Sequence, residues 1–323
     1  MNKDYLIDSI GRLDEDIIQK VNEVRISKKS RQNSRKWFSM AACIALFLSI
    51  VFTAEATSGT VSNLLAPLFG GAQTEIVDEI GVPIGASTTV DGYTLTADAI
   101  IGDRHNLAIV YTLSREDGQP IPENLFFKEW QTDVIRGTSG GGSLRTVEDE
   151  EHPNVIHFVE SWHRRVPLIG RVVTASFSTL AIYNEGEEDT ILSESTWKLT
   201  YTLRHMDSSE KLPVDDFFIT DDGGNQYELN SILLSPVGIH LDMTLQNASF
   251  EYFNHGAFHD FNVCLALKDG TEIPLEGGGG GGMTEGDKTA EVAYSAMFDI
   301  PVPREDIKAI VICDAIYELD SAD

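Results

Sequence analysis

The sequence predicts a mainly β protein that carries one membrane-spanning helix near its N-terminus. Residues 37–54 are uncharged and mostly apolar, and at about 1.5 Å of rise per helical residue they span roughly 27 Å, close to the thickness of a bilayer core. After residue 80, apolar and polar residues alternate in runs separated by turn residues, which indicates antiparallel strands with one buried face. We therefore expect a single transmembrane helix followed by a β-rich body.

The charge of the flanking segments predicts the direction in which this helix crosses the membrane. Residues 1–36 carry 9 Lys or Arg and 6 Asp or Glu, a net charge of +3, against −27 for the whole chain and hence −30 for the remainder. Six of the basic residues lie between Arg25 and Lys36 with no acidic residue among them, as in the cytoplasmic flank of a membrane helix. We expect the N-terminus inside the cell and the body outside it.

A cleaved signal peptide is the main alternative to a permanent anchor. The triplet Ala54-Glu55-Ala56 matches an A-x-A cleavage site, and residues 37–54 are only moderately apolar. Such a signal peptide would need a 36-residue n-region that contains a helical pattern of its own. This length favours an uncleaved anchor, and cleavage stays open.

An amphipathic helix is predicted between Asp4 and Val24. Apolar residues recur at helical spacing along one face, while acidic residues occupy other positions. The face that we predict to bind a partner consists of Leu6, Ile10, Leu13, Ile17 and Val21. A helix of this length has no core of its own to cover, so its apolar face needs a partner or a membrane surface.

The patterning divides the chain into five segments. Alternating runs such as Leu107–Leu113 and Trp197–Leu203 indicate one all-β domain, and a polar stretch ending at Pro213 separates it from a second set of runs, which we interpret as a second antiparallel β-sandwich. Four Asp-Gly pairs favour hairpin turns, because Asp-Gly readily adopts positive φ. The predicted segments are a cytoplasmic helix with a basic flank (1–36), a transmembrane helix (37–54), a spacer (55–79), a first β-sandwich domain (80–205) and a second β-sandwich domain (206–323).

The composition of the body excludes one class of partner and leaves one question open. A net charge of −30 repels phosphate backbones, so nucleic-acid binding is not expected. Cys43 lies in the membrane segment, whereas Cys264 and Cys313 lie in apolar, strand-like runs of the body. The two outer thiols could form a disulfide in an oxidising compartment, but buried free cysteines are common, so their pairing stays open.

Several motifs match catalytic or ligand-binding patterns, but each lacks the structure that its chemistry needs. Gly137–Gly141 matches G-x-S-x-G without a following helix, and Ser208–Lys211 matches S-x-x-K with a proline almost directly behind it. His255 and His259 have i, i+4 spacing but lead into a strand. The hexaglycine 277–282 precedes no helix that could cradle a phosphate, which favours a flexible hairpin loop. We expect no catalytic residue, cofactor or metal site, and hence no enzyme.

The layout and several short motifs together resemble one family. The motifs are Ile84-Gly85-Ala86, Val90-Asp91-Gly92-Tyr93-Thr94-Leu95 and Leu107-Ala108-Ile109-Val110-Tyr111 in the first β domain, and Leu229-Asn230-Ser231-Ile232 and Ser235-Pro236-Val237-Gly238-Ile239 in the second. With its short inner helix, basic flank and single span, the chain resembles membrane-anchored proteins of Gram-positive bacteria that carry an uncharacterised immunoglobulin-like outer domain followed by a second one. The resemblance covers most of the chain and contains no active-site motif.

The resemblance implies immunoglobulin-like outer domains and a role in signal transduction, since members of the family are frequently regarded as anti-sigma factors. It implies a sigma factor as the cytoplasmic partner and an extracytoplasmic ligand of unknown identity. The zinc-dependent anti-sigma class holds its partner with a His and Cys cluster, whereas residues 1–36 contain neither residue. Contact would therefore rest on the apolar face alone. The alternative is a non-enzymatic surface module whose β domains bind or adhere while the N-terminal helix only anchors them.

Overall fold

The structure is a computed structural model, and it describes residues 60–133, 140–167, 169–247, 261–282 and 288–319. Within these ranges, no helix is long and apolar enough to cross a bilayer. The predicted membrane segment 37–54 and the predicted partner-binding face on the N-terminal helix both lie outside the described residues. Residues from Thr57 onward form one compact unit.

The described part of the chain is mainly β, which confirms the mainly β part of the predicted fold class. Every strand pair in it is antiparallel. The strands up to residue 202 are β1 Val82–Val90, β2 Tyr93–Gly102, β3 Asn106–Arg115, β4 Leu125–Thr132, β5 Gly140–Glu148, β6 Val155–Arg164, β7 Val172–Ile182 and β8 Thr190–Thr202. The later strands are β9 Glu210–Leu212, β10 Phe218–Thr220, β11 Gln226–Ser235, β12 Gly238–Gln246, β13 Val263–Leu267, β14 Glu272–Leu275, β15 Gly277–Gly282, β16 Ala290–Met297, β17 Ile307–Ile312 and β18 Ala315–Glu318.

Strands β1 to β8 form two sheets that pack on a shared core and make a first sandwich. One sheet has the order β1-β2-β3-β6-β5 and the other β4-β7-β8. Both sheets contribute alternate residues to the core, in which Trp197, Tyr111, Phe158 and Phe177 are fully buried. Burying one phenylalanine contributes about 1.5–3 kcal/mol, so the alternation seen in the sequence also decides which face of each strand lies inside.

Strands β9 to β18 form a second sandwich with a core of its own. One sheet has the order β10-β11-β12-β16-β15, with β9 paired to β11, and the other has the order β14-β13-β17-β18. The largest buried side chains of this core include Tyr227 and Phe298. The chain passes from one pair of sheets to the other between Thr202 and Glu210, where the sequence shows its polar break.

The hexaglycine forms an edge strand, so the prediction of a flexible hairpin loop at 277–282 is wrong. This strand, β15, pairs with β16 from Gly277 to Gly282 without a break in register. A Cβ on Gly277 would lie 2.5 Å from the Tyr294 ring. Glycine is therefore required where the backbone approaches this ring closely.

Residues 60–80, which overlap the predicted spacer over 55–79, are largely helical. The helices are α1 Val61–Leu64, α2 Ala66–Phe69 and α3 Thr74–Ile80. Leu65 and Phe69 are buried against the face of the first sheet that points away from the core. Arg145 of β5 donates hydrogen bonds to two carbonyl oxygens of α2, at 3.0 and 3.2 Å. Helices this short show no helical period in a sequence, and tertiary packing stabilises them instead.

Candidate functional site at the junction of the two sandwiches

Two turns, one from each sandwich, meet at a junction. The turn from Asp103 to Asn106 joins β2 to β3, and the turn between Ser235 and Gly238 joins β11 to β12. Ser235 Oγ donates to Asp103 Oδ2 at 2.7 Å. Asn106 Nδ2 donates to the backbone oxygen of Ile239 at 3.3 Å. These hydrogen bonds cross between the sandwiches, so they hold together segments that are far apart in the sequence.

The carboxylate of Asp103 organises the junction. It is 4% exposed and accepts hydrogen bonds from the backbone N–H groups of His105 and Asn106, both at 2.8 Å. Aspartate side chains commonly accept from backbone groups two residues ahead, which stabilises turns. Because the same carboxylate also accepts from Ser235, the first turn and the contact with the second sandwich depend on one side chain.

Gly238 allows the two turns to approach closely. A Cβ at this position would lie 2.7 Å from Asn106 Nδ2 and 2.9 Å from Asp103 Oδ2. Both separations are shorter than an ordinary van der Waals contact, so a side chain fits at position 238 only if Asn106 and Asp103 give up the hydrogen bonds that they make across the junction. The motif Ser235–Ile239, which carries part of the family resemblance, therefore also makes the contact between the sandwiches.

A pair of histidines stacks across the junction. The ring centroids of His105 and His240 are 3.7 Å apart, and their planes differ by 7°. His105 Nδ1 donates to the backbone oxygen of Arg164 at 2.7 Å. His240 is 1% exposed, and its Nδ1 and Nε2 lie 2.7 Å from Ser295 Oγ and 3.3 Å from Asp242 Oδ1. Each ring is thus positioned by its own sandwich and meets the other face to face.

Two further histidines line the same junction. His163 Nδ1 lies 2.8 Å from Asn106 Oδ1, and His205 Nε2 donates to the backbone oxygen of Asp103 at 2.9 Å. Burial lowers the pKa of His163 and of His205, and burial together with a neighbouring imidazole lowers the pKa of His105. Burial therefore favours the neutral form of these three imidazoles, His105, His163 and His205.

An apolar cluster, which we call the coupling cluster, joins the junction to the helices. It contains residues of the helical segment, residues of β2, β3 and β6 that point away from the first core, and one residue of the β11–β12 turn. Its members are Leu65, Phe69, Val77, Ile80, Ala99, Ile101, Ala108, Val110, Val159 and Val237. The cluster therefore places Val237 of the second sandwich in one densely packed apolar group with the helices.

A separate chain of polar side chains lies on the first sheet. Thr112 Oγ1 donates to Asp98 Oδ2 at 2.5 Å and lies 2.9 Å from His157 Nδ1, and His157 Nε2 lies 3.4 Å from Asp149 Oδ2. Burial raises the pKa of Asp98 to about 7. Burial opposes ionisation of Asp149 as well, but hydrogen bonds from His152 and from the backbone outweigh it and lower its pKa. This chain is separate from the junction, so His157 and His163 lie in different environments.

A buried carboxylate links the two sheets of the first sandwich. Glu160 of β6 accepts hydrogen bonds from Tyr111 at 2.5 Å and from Thr132 of β4 at 2.7 Å. The hydroxyl of Tyr111 also lies 2.5 Å from that of Tyr201 in β8. Burial raises the pKa of Glu160. Its partners come from both sheets, which identifies it as a structural residue.

The motifs weighed for chemistry do not assemble a site in the described residues. Lys211 of the S-x-x-K motif lies in strand β9, whereas its chemistry requires a helix. His255, His259 and Ser139 of G-x-S-x-G lie outside the described residues. In the part of the chain that the structure describes, no group of three or more His, Cys, Asp or Glu side chains is arranged to hold a metal ion. Cys264 and Cys313 are free thiols.

Comparisons with known proteins support the fold alone. No protein-family model matches the chain, and no curated protein matches it. A solved structure described as "The crystal structure of the conserved domain protein from Bacillus anthracis" is similar, with a TM-score of 0.50 and 16% sequence identity over 72% of this chain and 77% of the other. At this identity the similarity concerns the arrangement of strands and carries no function.

The junction between the sandwiches could not be predicted from the sequence. Its four histidines, His105, His163, His205 and His240, follow or lie in different strands, so no spacing motif links them. The available signal is local: Asp103 two residues before a histidine and three before an asparagine is typical of a side-chain-stabilised turn. That signal predicts a turn and says nothing about what the turn contacts.

Proposed function

We propose that the chain is a membrane-anchored regulator of the anti-sigma type, in which two outer immunoglobulin-like β-sandwiches are coupled to an inner helix that binds a sigma factor. The observation that carries this proposal is the coupling cluster, which packs α1 to α3, one sheet of the first sandwich and Val237 of the second into one apolar group. A surface module that is merely tethered needs no such packing, because any flexible linker would serve.

The order of the chain supports the coupling. The predicted membrane segment ends at Ala54, and the described helical segment begins at Thr60, so only residues 55–59 separate the two. A long flexible linker behaves as a random coil and would absorb displacements, whereas only five residues separate these two segments. A shift at the junction would therefore move the helical segment and act on the membrane helix.

The predicted inner helix would make the contact with the sigma factor. Its face of Leu6, Ile10, Leu13, Ile17 and Val21 is an apolar ridge that needs a partner, and amphipathic helices commonly bind by laying such a face into a groove. Residues 1–36 contain neither His nor Cys. The contact with a sigma factor would therefore depend on apolar burial and not on zinc.

Replacing one residue of this face by aspartate tests the proposal. Burying one Leu or Ile contributes about 1.5–3 kcal/mol, and a buried carboxylate adds a desolvation cost, so Leu13→Asp or Ile17→Asp should weaken sigma-factor binding by about tenfold or more. Release of the sigma factor should raise transcription of the chain's own operon, measured with a promoter fusion. Immunoblots of the membrane fraction check that the variants are present at the normal level.

Asn22→Asp is the matched control, because it adds the same charge on the opposite side of the predicted helix. It should leave transcription unchanged. If both Leu13→Asp and Ile17→Asp also leave transcription unchanged at normal protein level, the tethered surface module becomes the better account.

A further inference from the structure

Four of the eight histidines of the chain meet at the junction, and two of them stack. We propose that acidification opens the junction between the sandwiches, because protonation of both His105 and His240 places two positive charges face to face. Acidification would then be the signal that the proposed regulator detects. The inference rests on the proposed function only for its effect on transcription.

The stack brings the two imidazoles as close as aromatic packing permits, with 3.7 Å between centroids. His240 Nε2 lies 3.3 Å from the carboxylate of Asp242 on one side of the stack. The Nδ1 of His105 already donates to the backbone of Arg164, so a proton arriving on that ring must enter at Nε2. A second charge in the stack then repels the first at short range, and solvent screens this repulsion poorly on the side of His240, which is 1% exposed.

Other charged and titratable groups surround the stack from every element packed against it. They are Asp242 of β12, Asp103 and Arg104 of the β2–β3 turn, His163 and Arg164 of β6, and His205 and Asp207 after β8. Asp242 forms a hydrogen bond with His240, which lowers its pKa to about 2, so it remains ionised and can hold one proton on the stack. The Asp103 carboxylate already accepts from Ser235, His105 and Asn106. Burial and the neighbouring His240 lower the pKa of His105 and outweigh the negative charges of Asp103 and Asp242, which raise it.

The direction of the pH effect follows from the lowered pKa values. Once the junction opens, His105, His163 and His205 regain a pKa of about 6.5. In the closed form the pKa values of His105, His163 and His205 lie below their ordinary value, so the open form binds more protons. The closed junction is therefore fully stable above about pH 6.5 and loses stability as the pH falls below it. Each histidine that stays neutral in the closed form shifts the opening equilibrium by roughly tenfold at about pH 5.5.

Amide hydrogen exchange of the full-length chain in micelles of an uncharged detergent tests this inference. Protection of the two turns, residues 103–106 and 235–239, is compared at about pH 7.5 and about pH 5.5 after correction for the intrinsic rate. We expect protection of both turns to fall by about tenfold or more at the lower pH while the sandwich cores stay protected. Unchanged protection of both turns would overturn the proposal.

Two variants separate the stack from general acid effects. In His105→Gln, the fall in protection between about pH 7.5 and about pH 5.5 should be about tenfold smaller than in the unmodified chain, because one titrating ring is removed. His152→Gln should keep the full response, because its side chain is 65% exposed and lies outside the junction. An acid response of wild-type size in His105→Gln would contradict the proposal.

A direct titration covers the case in which His105→Gln is already open at about pH 7.5. NMR titration of the imidazoles in the unmodified chain should then give a pKa for His105 below about 6.5, and a higher value would contradict the proposal. None of these readouts involves transcription. Failure of the acid response therefore leaves the regulatory function standing, and failure of the Leu13→Asp test leaves the acid response standing.

Discussion

Gly238→Val should drive the two sandwiches apart and lower the free energy of unfolding by about 1–3 kcal/mol or more, as overpacking does. Its Cβ alone would lie 2.7 Å from Asn106 Nδ2 and 2.9 Å from both Asp103 Oδ2 and the backbone oxygen of Ala296. Two of these atoms are hydrogen-bonded side-chain atoms of the opposing turn and one is the backbone oxygen of a paired strand, so relief requires breaking the hydrogen bonds of the junction and shifting that strand. The melting temperature in a thermal scan should fall by about 2–4 °C for each kcal/mol of unfolding free energy lost.

The same substitution at Gly278 is the control. Nothing lies within 4 Å of the position that a Cβ would take there, so Gly278→Val should change stability by only about 0.5 kcal/mol. Gly238→Val should also expose the chain between Thr202 and Glu210 to proteases, because the flanking sandwiches no longer shield it. An unchanged melting temperature and cleavage pattern in Gly238→Val would mean that the two turns are not in contact.

Leu65→Asp should detach the helical segment from the first sandwich. Leu65 is fully buried in the coupling cluster, and burying a carboxylate without a partner costs several kcal/mol, on the order of the stability of a short docked segment. Limited proteolysis should then cut within residues 60–80 while the sandwich cores stay intact. If the helices couple the body to the membrane, the same variant should make transcription insensitive to the state of the outer body.

The neighbouring leucine supplies a matched control. Leu64 is 36% exposed, so Leu64→Asp adds the same charge one residue away without burying it. It should leave both proteolysis and transcription as in the unmodified chain. Equal cleavage of Leu64→Asp and Leu65→Asp would show that burial of Leu65 does not hold the segment in place.

The sequence predicts the strands well because one physical signal, the burial of alternate residues, decides them. Leu107, Ile109, Tyr111 and Leu113 alternate in the sequence and all lie in the first core. Turn chemistry is equally local: Asp91-Gly92 has positive φ at both residues and closes the hairpin between β1 and β2, as predicted.

Features that depend on distant packing could not be predicted. The segment 60–80 is helical because Leu65 and its neighbours cover a sheet face that only the folded chain presents. The sequence of the hexaglycine predicts a loop. Gly277 nevertheless lies directly against Tyr294, a contact that arises only from the pairing of β15 with β16. The stacked pair at the junction is invisible for the same reason, since its two rings come from different sandwiches.

The regulatory function that we propose requires the chain to span the membrane with its N-terminal helix inside the cell and both sandwiches outside. A reporter that is active only in the cytoplasm tests it when fused before Met1 and, separately, after Asp323. The basic flank from Arg25 to Lys36 predicts activity of the first fusion and none of the second. Activity of the fusion after Asp323 would place the sandwiches inside the cell and contradict both the topology and the regulatory function that depends on it.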